Sequence, residues 1–147
     1  MPDNTCVFNV GRLMEIRVGR GYRSVEDVEA MIQMMVKTAT KFGPSAAYVI
    51  AADWRAVSVM TQPTATRARG MLARSNARVI RSSILTLPVH STANLQVRRL
   101  LREADNENRK HFVDAGEQHR WLSEVLTPAE SERLSSFLGL SVEPSHS

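Results

Sequence analysis

The chain has 147 residues, a net charge of +4, 43% hydrophobic residues and 23% charged residues, which suits one globular domain able to bury a core without staples. No apolar run approaches the roughly 20 residues that cross a bilayer, so the chain is not expected to be transmembrane. The N-terminus lacks the basic-then-apolar order of a secretory signal and the lone Cys6 excludes an internal disulfide, which makes the cytoplasm the expected location.

Residues 5–18 alternate around a turn at Gly11-Arg12, as an N-terminal hairpin does. In its second strand Met14, Ile16 and Val18 are expected inside, with Leu13, Glu15 and Arg17 on the other face. Gly19-Arg20-Gly21 lacks the spacing of a phosphate-binding loop and reads as a turn. Ser24, with an acid three residues on, opens a helix. Val25, Val28, Ile32, Met35, Val36 and Ala39 mark its apolar face, with Met31, Met34 and Met35 as core fillers. Phe42-Gly43-Pro44 stops it.

Residues 46–52 form an uncharged run, read as a strand buried on both faces, that ends abruptly in Asp53-Trp54-Arg55. Thr61-Gln62-Pro63 starts a second helix, in which Ala65, Ala68, Met71 and Leu72 share a face. Residues 79–87 form a strand closed by Pro88. Ser91 or Thr92 caps a third helix, whose inner stripe is Ala93, Val97, Leu100, Leu101 and Ala104. Residues 105–108 are a turn, and residues 110–113 a short strand. Asp114 caps a helix placing Trp121, Leu122, Val125 and Leu126 inward. Thr127-Pro128-Ala129-Glu130 caps a last helix, ended by Gly139. The tail, residues 140–147, is expected to be disordered. The order predicts one α/β domain over residues 1–139. Its mixed, mostly parallel sheet has about five strands and carries the hairpin at an edge, under four to five helices.

Charge is unevenly spread. From Trp54 to Arg102 there is no acid, while nine arginines fall there. Such asymmetry suits an anionic partner, or a surface balanced by another part of the fold. Arg67, Arg74, Arg98, Arg99 and Arg102 are the candidate anion-binding residues. Recognition helices and stacking aromatics of nucleic-acid binders are not evident. His90, His111, His119 and His146 have no metal-ligand spacing, there is no Gly-x-Ser-x-Gly elbow, and Ser, His and Asp are dispersed. No catalytic residue, metal or cofactor is expected.

The exit of a buried strand in an open α/β sheet is where ligands or partners usually meet the fold. Asp53, Trp54, Arg55 and the nearby Ser58 are therefore the candidate partner-binding residues. The order of elements resembles the STAS-like fold of anti-sigma-factor antagonists and SEC14-associated STAS-like proteins over about residues 5–126. The resemblance rests on the hairpin before the first helix, on residues 48–55 as strand plus Asp-containing exit, and on residues 109–114 followed by Trp121-Leu122. It implies a non-catalytic bacterial regulatory domain that docks another protein or, less often, holds a small apolar or anionic ligand. In that family an Asp and then a phosphorylatable Ser follow the central strand. Here Trp54 and Arg55 follow Asp53 and Ser58 sits at a different offset, which puts the phosphorylation switch in doubt. The expected partner is another protein, or a second copy in a homodimer. Nucleic acid or anionic lipid, held by the arginines, is the alternative; a small-ligand carrier or an enzyme is the remaining class.

Overall fold

The computed structural model describes residues 3–74, 78–104 and 107–140. Ten elements follow in the predicted order: β1 (Asn4–Phe8), β2 (Leu13–Val18), α1 (Val25–Phe42), β3 (Tyr48–Asp53), α2 (Gln62–Arg74), β4 (Val79–Leu85), α3 (Ser91–Ala104), β5 (Arg109–Phe112), α4 (Ala115–Ser123) and α5 (Pro128–Leu138). The chain is α/β, with five strands in the order β1-β2-β3-β4-β5. The β1–β2 hairpin is antiparallel and the remaining pairs are parallel. Of the expected tail, Leu140 packs against the core, while residues 141–147 lie outside the described residues.

Each parallel strand is laid beside the one before it, so the strand order never reverses. Right-handed crossovers then carry α1, α2 and α3 to the same face. Met14, Ile16, Ile50, Ala52 and Ile84 form the sheet side of that layer's core, with Ile32, Met71 and Leu100 from the helices. The opposite face takes the side chains of other parity, Leu13, Val49, Ala51 and Leu85. It is closed by Leu122 of α4 and by Leu134, Phe137 and Leu138 of α5. The ligand crevice of open parallel sheets forms where strand order reverses, and these five strands have no such point.

Covering both faces changes the reading of β2. Arg17 is only partly exposed, and Glu15 is buried and receives Arg133 of α5 through Nε and Nη2, both at 2.8 Å. α5 is anchored again at its start. Thr127 and Glu130 make a reciprocal capping box. Glu130 also accepts from the Arg12 backbone N–H at 2.6 Å and from Arg12 Nη2 at 3.0 Å. Burial alone would raise the Glu130 carboxyl, but Arg12 and the two backbone donors outweigh it and hold it at about 2. Gly11 stands in the left-handed region at φ 57°, and a Cβ there would run into the Glu130 carboxylate.

One residue more in β4 than in β3 between the pairs Tyr48↔Val79 and Ile50↔Ser82 makes a bulge. It turns both Ile80 and Arg81 toward α4, where Arg81 donates to Trp121 O and Glu124. β4 stops at Leu85, two residues before the expected end. The Thr86 side chain turns inward to Asn94 and His111 and the chain leaves the sheet.

Candidate functional site

Asp53, Trp54 and Arg55, expected as an exposed contact edge, are built into the scaffold. Asp53 has the parity of Val49 and Ala51, so its carboxylate faces α5. It accepts from Arg17 Nη1 at 2.7 Å, from Arg55 Nε at 2.9 Å and from the Arg55 backbone N–H at 3.1 Å. The same two guanidiniums donate onward to the last carbonyls of α5, Arg17 to Phe137 O at 2.7 Å and Arg55 to Leu138 O at 3.3 Å. Burial raises the Asp53 carboxyl, and the Arg55 and Arg17 bonds more than reverse this, leaving it below the ordinary carboxylate range. Trp54 points to the other face, is 1% exposed and meets Tyr22 edge-on at 5.2 Å. It is core, not contact surface.

Ser58 stands differently. The loop between β3 and α2 is pinned by alternating side chains: Trp54, Val57 and Met60 go in, while Ala56, Ser58 and Val59 stay out. Gln96 of α3 holds Met60 at both backbone groups, accepting from Met60 N and donating to Met60 O, each at 2.9 Å. The next loop, between β4 and α3, is held from inside by Thr86 and by Asn94 Nδ2 donating to Leu87 O at 3.0 Å. His111 Nε2 lies 2.6 Å from Thr86 Oγ1. Burial first, and then nearby Arg98, push the His111 ring down to about 4, so it is neutral at pH 7.

These two stiff loops and the first turn of α3 carry an apolar patch. Val59 is 55% exposed, Val89 80% and Leu95 65%, and Leu87 is also exposed. Val59 and Leu95 line a groove of about 340 Å³ between α2 and α3. Val59 and Val89 line a second of about 300 Å³, shared with Ser58 and His90. His90 Nδ1 is buried without a hydrogen-bond partner among the described residues. The other large exposed apolar side chains, Val7 and Val36, lie apart on β1 and α1. The patch was missed in the sequence because its members are scattered over residues 59–95 in unrelated elements.

The five candidate anion-binding arginines are divided between α2 and α3. Arg67 is ion-paired with Glu29 of α1. Arg74 lines a cavity between α1 and α2. Arg99 lines the α2–α3 groove, and Arg98 acts on His111 of β5. Arg102, one turn on from Arg98, is exposed. The fold pairs four of the nine arginines of the acid-free stretch with acids from outside it: Arg55 with Asp53, Arg67 with Glu29, Arg69 with Glu103 and Arg81 with Glu124.

Cys6 is buried, and burial pushes its thiol up to about 11, where no thiolate forms near neutral pH. Among the described residues no three His, Cys, Asp or Glu side chains gather as a metal-ligand set, and no helix is long and apolar enough to span a membrane. No known protein family, curated protein or solved structure matches this chain.

Proposed function

We propose that the chain is a non-catalytic, STAS-like protein-interaction module that docks a partner protein through the patch formed by Ser58, Val59, Val89 and Leu95. The observation that carries this reading is the gathering of exposed apolar side chains on two loops whose backbones are locked from beneath. Contiguous exposed apolar surface rimmed by polar groups marks interaction sites, and a surface already held in its bound shape loses little entropy on association. The contact point after the central strand has therefore moved outward by a few residues, from Asp53-Trp54-Arg55 to Ser58-Val59.

The rim indicates what the partner presents. Arg99 borders the groove of Leu95, and His90 lines the groove of Val89. An apolar anchor flanked by an acid and a hydrogen-bonding group suits both. The engagement of Arg67 by Glu29 favours this docking role over binding of nucleic acid or anionic lipid, which needs many free cations on one face.

Site-specific photocrosslinking tests the reading. A photoreactive residue placed at 59 or 89 in the native organism should yield one defined protein adduct, and the same residue at position 7, on the sheet edge, should not. The adduct should disappear when Leu95→Lys is added, with the circular dichroism spectrum unchanged. Absence of adducts from both loop positions, or identical adducts from position 7, would overturn the placement.

A further inference from the structure

A second site lies at the other end of the sheet, beside the start of β3. Between α1 and α2 is a cavity of about 220 Å³. Its walls are Ile32, Met35, Ala39 and Met71, and Tyr48 lines it from the sheet. Two cations complete it, Arg74 and Arg78, and no carboxylate is among its lining residues. Arg78 is fixed in place. It donates from Nε to Ala46 O at 3.0 Å and from Nη2 to Gly43 O, and its guanidinium carbon lies 5.2 Å from the Tyr48 ring centroid. Arg74, at the end of α2, has no acid within ion-pair distance among the described residues, since the nearby Glu29 is bonded by Arg67.

We infer that this cavity binds a small amphipathic monoanion, a carboxylate on a short alkyl chain. An apolar chamber accounts for the chain, and two guanidiniums with no carboxylate among the lining residues account for the head, since the planar guanidinium fork matches a carboxylate. The volume lies below the range of about 300–1,000 Å³ typical of pockets for drug-sized molecules, which limits the chain to a short one. Methionines in two of the walls let the chamber adapt to its guest. The site is separate from the docking patch, and neither depends on the other.

Titration of the full chain with octanoate, followed by calorimetry and amide chemical shifts, tests the assignment. Octanoate should bind with 1:1 stoichiometry and shift the amides of residues 32–39 and 71–74. Acetate, which lacks the chain, and octanol, which lacks the charge, should each bind at least tenfold more weakly. Arg74→Glu, an exposed change that leaves the fold intact, should weaken octanoate at least tenfold, and Ala39→Met should block it by filling the chamber. If Ala39→Met does not fold, Arg74→Glu decides the matter alone. Absence of saturable octanoate binding, octanol binding as tightly as octanoate, shifts confined to other regions, or unaltered affinity in Arg74→Glu would each overturn the inference.

Discussion

Asp53 and Arg17 stand opposite one another in the parallel β2–β3 register, with 2.7 Å between carboxylate oxygen and guanidinium nitrogen. Because Arg17 also donates to Phe137 O and stacks over the Phe137 ring at 4.5 Å, the pair fastens the end of α5 to the sheet. Asp53→Asn leaves two guanidiniums facing a neutral amide in a buried place. Loss of about 2–4 kcal/mol is expected, read as a lower urea midpoint. Hydrogen exchange should quicken first in α5.

Trp54 and Val59 should separate stability from docking. Trp54→Ala empties the space of a fully buried ring and should cost about 3–5 kcal/mol. Val59→Lys, at an exposed position, should change stability by no more than about 0.5 kcal/mol while abolishing the photocrosslink from position 89. Loss of the crosslink in a folded Trp54→Phe variant, with Val59→Lys harmless, would return the contact to the original stretch.

Acid should unfold the chain in two stages. The His111 ring, held down to about 4, takes up a proton more readily unfolded, near 6.5. Its contribution is present above about pH 6.5 and is lost as pH falls toward 4. Glu130, at about 2, and Asp53, also lowered, contribute above the ordinary carboxylate range and lose that contribution as pH falls from about 4.5 toward 2. Thermal midpoints should therefore decline from pH 6.5 and then more steeply below 4.5. His111→Gln should flatten the first decline, and Glu130→Gln part of the second.

Gly11→Ala places a methyl group both in a left-handed turn and against the Glu130 carboxylate. The strained turn alone costs about 1 kcal/mol, and displacement of Glu130 from Arg12 should bring the total to about 2–4 kcal/mol. Gly11→Ala combined with Glu130→Ala should be less destabilising than the sum of the two single changes, which a double-mutant cycle in urea measures.

Much of the architecture was legible because local signals agreed: alternation in the hairpin, the uncharged run before Asp53, caps at Ser24, Asp114 and Thr127, and stops at Gly43 and Gly139. A charge following an apolar run suggests a point of exit, but Asp53 shares the parity of Val49 and Ala51 and so the face that α5 covers. That helix, α5, is too distant in sequence for its partners to be recognised. Glu15 was expected on a solvent face for the same reason, since Arg133 lies 118 residues away. The arginine-rich stretch showed an imbalance whose partial offset depends on Glu29, Glu103 and Glu124, brought close only by packing. The patch around Val59, Val89 and Leu95 left no periodic trace at all, because loops obey no repeat.

The placement of α1, α2 and α3 on one face has a consequence for how the protein is made. Five neighbouring strands can assemble in order as they leave the ribosome, with each crossover helix sealing the same side. Leu13, Val49, Ala51 and Leu85 on the reverse side have no cover until residues 115–138 have been synthesised. A chain lacking residues 115–138 would leave that face of the sheet bare, and exposed apolar surface of this kind aggregates or recruits chaperones. Arg133 of α5 on Glu15, with Arg17 of β2 on Phe137 O, joins α5 to the second strand and so closes that face.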